Sequence, residues 1–393
     1  MRSLVLLVVA LAIAGCGKES TAPGGSLVFA EVSAGDYHTC AVTTGGAAYC
    51  WGHNDVGQLG IGTFDSLPHP VPEPVAGGRR FVSITTGRGH SCGLTTSGGT
   101  YCWGLNDFGE LGTTAATESC TGPLPCIPVP ALVSGGLRFV AVSAGATFTC
   151  AATAAGVAYC WGLDDEGELG NGTISVTGQF SPVAVAGAWT LAAIGSGDSH
   201  ACAVTAAGAA VCWGANERGQ LGTGNLVSET VPTPVTGGLT FATVSGGTYH
   251  SCGVTPAGAA WCWGHNHYGR LGDGSYVNQD QTSPQAVVGG LTFAAVSTGG
   301  THTCGVTTGA AAYCWGADRY GQLGDGVADT LVHPAPEAVL GGLALTSVSA
   351  GVVHSCGLTA AGVAYCWGDN TYGALGDSTT LGRVAPVRVA RQP

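Results

Sequence analysis

The sequence predicts an all-β fold, a seven-bladed β-propeller of four-stranded antiparallel blades whose ring is closed by the C-terminal strand. Two observations carry this. A Cys-Trp-Gly triplet recurs at Cys50, Cys102, Cys160, Cys212, Cys262, Cys314 and Cys366, at intervals of 52, 58, 52, 50, 52 and 52 residues. Self-similarity at such a period marks an architecture in which each unit buries its faces against its neighbours. Within each unit, four short apolar runs are separated by glycine and proline turns, the pattern of a four-stranded blade.

The elements follow in order. The first run begins at Phe29 and is matched at Phe81, Phe139, Leu191, Phe241, Phe293 and Leu345. A Gly-x-x-His turn leads to a second run such as His38 to Thr43, and a Thr-x-x-Gly turn leads to the third, ending in Tyr49-Cys50-Trp51-Gly52. An Asn-x-x-Gly-Gln-Leu-Gly segment opens a loop of varied length. The fourth run carries Pro-x-x-Val, as at Pro72 to Val75 and, last, Pro386 to Val389. No such run precedes Phe29, so the trailing one is expected to complete the first blade and lock the ring.

Ten residues before each triplet stands another cysteine: Cys40, Cys92, Cys150, Cys202, Cys252, Cys304 and Cys356. If residues 44–46 form the hairpin turn, Cys40 faces Cys50 directly across two strands. Opposed residues lie about 4.5–5.5 Å apart at Cα, within disulfide reach. Each bridge closes a short loop, worth roughly 3 kcal/mol in the loop-entropy account. The competing reading, seven zinc sites, needs further ligands at matching positions. His38 is the natural candidate, yet Phe148 replaces it in the third unit while Cys150 and Cys160 remain. Disulfides are therefore favoured. Cys120 and Cys126 fall in the one long interval and are expected to staple an inserted loop. Paired cysteines in this number imply an oxidising compartment.

Composition excludes several classes. Only 9% of residues are charged, Gly numbers 68 of 393, the net charge is −12 and Lys18 is the sole lysine. No basic stripe exists to neutralise phosphates, so nucleic acid is not an expected partner. No apolar run reaches 18 residues, so no helical span is expected. Arg2, the apolar stretch Leu4 to Ile13, and Ile13-Ala14-Gly15-Cys16 resemble a bacterial lipoprotein signal, in which the cysteine becomes lipidated and N-terminal after cleavage. Residues 1–15 are thus expected to be a signal peptide, 16–24 a lipidated tether and 25–393 the propeller.

Taken together, Phe-x-x-Val-Ser-x-Gly-x-x-His-Ser/Thr-Cys and Tyr-Cys-Trp-Gly-x-Asn-x-x-Gly-Gln-Leu-Gly resemble the regulator of chromosome condensation repeat family. The resemblance runs from about Gly25 to the C-terminus and implies a seven-bladed β-propeller. The cysteine pair on adjacent strands is similar to that of extracytoplasmic bacterial members. The family includes a nucleotide-exchange factor and a plant photoreceptor; neither activity is carried over, because the basic tail and the Gly-Trp-Arg-His-Thr turns are absent.

Regular repeats offer many false active sites. His38, His90, His200, His250, His302 and His354 share one repeat position and are expected to be turn or core residues bonded to backbone, not catalysts. The seven triplet tryptophans are expected to pack blades. His265 and His267 lack a third metal ligand, and Asp164, Asp165, Glu166 and Glu168 read as a solvated acidic rim. No metal, cofactor or catalytic residue is expected. Diversity instead gathers on the face bearing the Gly-x-x-His turns and the long loops. One position there reads Val56, Phe108, Glu166, Arg218, Tyr268, Tyr320, Tyr372. Exposed aromatics and Arg are typical interface anchors, so Phe108, Arg218, Tyr268, Tyr320 and Tyr372 are the expected partner-binding residues.

The expected function is a non-enzymatic binding scaffold, lipid-anchored through Cys16 in the bacterial envelope, with the outer membrane favoured. It would act as a monomer on a protein, including an enzyme it inhibits, or a glycan. The alternative is an envelope hydrolase or lyase, which would need a non-repeated cluster of carboxylates, His or metal ligands converging on the axis; none is evident in the sequence.

Overall fold

The computed structural model describes residues 26–115, 117–276 and 279–393; the expected signal peptide, Cys16 and the tether lie outside them. The chain forms seven four-stranded antiparallel blades, with one extra two-residue strand on the second. In blade 1 the strands are Phe29–Ala34, His38–Thr43, Ala48–Asn54 and Asp65–Pro74, from the axis outward. The first strands surround the axis and the Pro-containing strands form the rim. Proline is tolerated there because a rim strand has one edge with no ladder bonds to make.

The second and third strands pair in the register that the cysteine spacing requires. Cys40 opposes Cys50, Ala41 opposes Tyr49 and Val42 opposes Ala48. The structure bridges all seven such pairs, with Cα atoms 4.0–4.1 Å apart, and also bridges Cys120–Cys126 at 5.9 Å. The stapled loop of blade 2 folds back over blade 1: Thr121 donates its backbone N–H and its hydroxyl to the Asp55 carbonyl, and the bridge packs on Val56.

Seams between blades are built from one repeated device. The backbone carbonyl at positions 58, 110, 168, 220, 270, 322 and 374 accepts the indole N–H of the next blade's tryptophan at 2.8–3.0 Å. In six seams a Ser or Thr hydroxyl of that next blade donates to the same carbonyl. With its proton committed there, the hydroxyl can only accept from the preceding blade's histidine, whose Nε2 lies 2.7–2.8 Å away. Each ring is therefore neutral, protonated on Nε2, and leaves a buried Nδ1 without a partner. The histidines are core residues as expected, but their partner is a side chain across a seam and not backbone. The loop passes so close to the indole that Gly60, at φ 68°, could carry no Cβ without striking Trp103.

One seam lacks the histidine bond, and it lacks both halves. Phe148 replaces the histidine of blade 3, and Ala201 replaces the hydroxyl of blade 4; the two lie in one apolar cluster with Trp213. A polar group left at either position would be buried unpaired, so the two changes belong together.

The C-terminal strand corrects an expectation. Arg383–Arg388 pairs with the third strand of its own blade, Cys366 opposite Val387, and does not complete blade 1. Every unit supplies its own trailing strand, so no blade has a vacancy. The ring closes as the other seams do: Trp51 Nε1 donates to Ala374 O, Phe29 N to Gly362 O, and Thr39 meets His354. The C-terminal residues reinforce this seam, with Leu27 N donating to Arg391 O and the Arg391 guanidinium donating to Pro72 O.

The substituted seam gives a direct test. Phe148→His alone should destabilise by about 3 kcal/mol, through lost packing and an unpaired imidazole. Adding Ala201→Ser should recover at least about 1 kcal/mol beyond additivity, read from denaturant melts of the four proteins in the cycle. Strict additivity would contradict the pairing.

Candidate functional face

The loop after the third strand positions the variable residue by two internal bonds. The side-chain oxygen of Asn54 and its six counterparts accepts the N–H five residues on, at 2.9–3.2 Å. In five blades a Gln or Glu then accepts the N–H of the variable residue itself, at 2.9–3.0 Å. These bonds consume the turn's polar groups and leave the variable side chain on the outer side of the loop, where all but Val56, covered by the stapled loop, are at least partly exposed. Blade 5 departs from this. Arg270 has no acceptor to offer, and Tyr268 adopts φ 67°, a left-handed conformation that costs a non-glycine residue about 1 kcal/mol. The Arg270 side chain runs inward, buried, and donates to the carbonyls of His267 and Gly300.

The expected binding residues fall into three groups. Arg218, Tyr268 and Tyr320 form a continuous stretch over blades 4 to 6. Arg218 lies 3.7 Å from Asp280, which also receives His265 Nδ1 at 2.6 Å. The His265 and His267 rings stack at 5.7 Å, and His267 meets the Tyr268 ring edge at 3.9 Å. Tyr268 and Tyr320 are 38% and 43% exposed and line one cavity of about 260 Å³, with Thr301, Asp318, Asp329 and Leu331 among its other walls. Tyr372 is half-buried and belongs elsewhere: its ring is 4.1 Å from His53 and 5.5 Å from Tyr37 across the closing seam. Phe108 stands apart on blade 2, half-buried, its backbone seated on Gly178 of blade 3.

Two other expectations need revision. Of the supposed acidic rim, Asp165 and Glu166 are exposed but Asp164 and Glu168 are fully buried. Glu168 occupies the Gln position, and burial raises its carboxyl to about 8; Glu110, at the same position in blade 2, rises to about 7. Second, charged residues do meet at the axis. Asp36, Arg88 and Asp198 each follow an axial glycine, and they line an opening of about 70 Å³ above a ring of seven glycines whose carbonyls leave no room for a Cβ. Arg88 lies 3.9 Å from Asp36, whose carboxyl is raised to about 7 by burial and by Asp198. The opening is large enough for a few waters and too small for a sugar ring. These residues come from blades 1, 2 and 4, and only their shared repeat position could have brought them together in the sequence.

Seven equivalent blades, with seams that use the inner side of each loop and variable side chains on its outer side, define a propeller scaffold. Comparison with known proteins specifies which. The chain matches the RCC1-like domain over residues 67–392 and the regulator of chromosome condensation (RCC1) repeat over 29–58, and it belongs to the RCC1-like family. It is 29% identical to the Arabidopsis thaliana ultraviolet-B receptor UVR8 over 374 residues, 94% of this chain and 71% of the receptor. It is also 29% identical to the Homo sapiens E3 ubiquitin-protein ligase HERC2 over 359 residues, 90% of this chain but 7% of that protein. Among solved structures, human WBSCR16 superposes with a TM-score of 0.78 at 20% identity, covering 88% of this chain and 94% of that one. Yeast RCC1 (Prp20), bound to Kap60, gives 0.76 at 19%, covering 98% and 91%. These two likenesses concern the fold alone.

The buried acids set a pH test. The folded chain keeps the Glu168 proton up to about pH 8, whereas the unfolded chain releases it near its ordinary value of about 4.3. Stability therefore falls as pH rises through that window. Glu168→Gln installs the side chain of blades 1, 4 and 6, and should raise the melting temperature clearly more at pH 8.5 than at pH 4.5. An equal gain at both would show that the carboxyl ionises freely in the fold.

Proposed function

We propose that this chain is a non-enzymatic binding scaffold that engages a protein through the loop face centred on Tyr268 and Tyr320, held in the bacterial cell envelope by a lipid on Cys16. The observation that carries the proposal is the Arg218, Tyr268 and Tyr320 stretch. It combines exposed aromatics, a cavity between two of them and a strained backbone at Tyr268, the kind of strain that persists at functional positions. Protein binding by a propeller of the same fold supports this reading: Prp20p from Saccharomyces cerevisiae binds Gsp1p and histones. The envelope assignment rests on the Ile13-Ala14-Gly15-Cys16 signal and the paired cysteines.

Substitutions at one residue separate binding from blade capping. Tyr268→Gly removes the side chain and relieves the left-handed backbone, so thermal stability should hold or rise. Capture of the partner from envelope extract should fall about tenfold or more, as for loss of a 1.4 kcal/mol anchor. Tyr320→Ala should weaken capture likewise, and Leu239→Ala on the opposite face should leave it unchanged. If Tyr268→Gly and Tyr320→Ala retain full capture, the functional surface lies elsewhere. In the same strain, Cys16→Ser should abolish lipid labelling and release the protein from membranes; retention without labelling would refute the anchor.

A further inference from the structure

Blade 6 carries an arrangement of charge that the other blades avoid. In blades 3 to 7 the buried residue at the Asn54 position interacts with the side chain seven places on. In blades 5 and 7 an amide meets a carboxylate: Asn266 Nδ2 donates to Asp273 Oδ1 and Asn370 Nδ2 to Asp377 Oδ1, both at 3.1 Å. Blade 3 inverts the pair, with the Asp164 carboxylate receiving the Asn171 amide. Blade 6 alone has two acids, Asp318 and Asp325. Asp318 is 1% exposed; one oxygen takes the Leu323 N–H at 2.9 Å, and Oδ2 has no hydrogen-bond partner. Its charged neighbours are Asp325, His333 and Asp329.

The outer strand adds the rest. His333 is buried, with Nδ1 2.8 Å from Glu337 and Nε2 3.2 Å from Asp329. Donor atoms of Asp325, His333 and Glu337 all lie within 4.8 Å of one another. Blade 7 neutralises its own acid with Arg383, 2.7 Å from Asp377; at the matching place in blade 6, opposite Gly316 as Arg383 is opposite Gly368, stands His333. Among the described residues, the ion pairs of this group run only to His333. Blade 1 is an internal control. Asp65, His69 and Glu73 repeat the histidine pairing at 3.3 and 2.6 Å, but Asn54 and Ile61 stand where Asp318 and Asp325 would be.

We propose that Asp325, His333 and Glu337, with the unpartnered Asp318 carboxylate beside them, form a binding site for a divalent transition ion, Zn²⁺ or Mn²⁺, on the outer edge of blade 6. Four carboxylates gathered around a single imidazole favour a cation, and a mixed nitrogen and oxygen set suits these ions better than Ca²⁺, which takes oxygen alone. Asp329 holds the imidazole and completes the charge. Asp318 and Asp329 also line the cavity between Tyr268 and Tyr320, so the ion would order the wall of that cavity.

The test is calorimetric titration of the chelator-treated full chain with ZnCl₂ and, separately, MnCl₂ at pH 7.5, with melting temperatures measured alongside. At least one of the two should bind at one ion per chain and raise the melting temperature. Asp318→Asn recreates the amide–carboxylate pair of blades 5 and 7, so it should fold without metal at least as stably as the parent and bind at least tenfold more weakly. His69→Ala should retain the ion. The site is overturned if neither salt shows saturable uptake, if Asp318→Asn binds as tightly as the parent, or if uptake is lost on His69→Ala or His267→Ala instead.

Discussion

The structure depends on one acceptor, the loop carbonyl that takes an indole N–H and, in six seams, a hydroxyl from the next blade. A carbonyl has two lone pairs, and here both are used in a dry setting where an unmade bond costs about 1–3 kcal/mol. The hydroxyl then fixes the histidine tautomer, and the glycine beside the indole admits the tryptophan. Four repeat positions that look independent in the sequence, such as His38, Gly60, Ser91 and Trp103, are one device. A second set of bonds runs nearer the axis, where an inner-strand Ser or Thr hydroxyl accepts the neighbouring blade's N–H, as from Ala34 to Ser349 and from Thr298 to Ser245.

That device explains where the chain is free to vary. The carbonyl belongs to backbone, so the side chain at its position can be Gln, Glu, Arg or Ala without loss of the seam. Two residues earlier, the side chain lies on the outer side of the loop, at least partly exposed in every blade but the first, and its backbone carbonyl is not the seam acceptor. Variation thus costs the ring little on the outer side of each loop and much on the inner side. Blade 5 uses this freedom furthest: Arg270 turns inward, Tyr268 takes a strained backbone, and the face gains an exposed aromatic beside a cavity.

The repeat made the fold legible. The Cys40–Cys50 register followed from hairpin geometry alone, because a direct cross-strand pair has one possible spacing for a given turn. The role of Trp51 as packing was also readable. The histidine partner was not, since the bond from His38 to Ser91 spans two units and appears only once blades are stacked. The strand missing before Phe29 is no guide to ring closure, because seven trailing strands for seven units leave none to exchange. The expected binding residues separated because equal repeat positions sit at different seams: Tyr372 leans on Tyr37 and His53, whereas Tyr320 faces Tyr268. The Asp318–Asp325 pair was visible in the sequence, but only against the amide–carboxylate pairs of its sister blades does it become unusual.

The central claim is that seven seams of the same kind hold the ring, the closing one included, with no strand exchanged between first and last blades. Hydrogen exchange of the seven seam indole N–H groups, followed by NMR under native conditions, tests it most directly. All seven, Trp51 included, should exchange only through global unfolding and so report one common free energy of opening. If the Trp51 indole exchanges at least tenfold faster than the other six, the closing seam opens on its own, and the account of a uniformly closed ring is wrong.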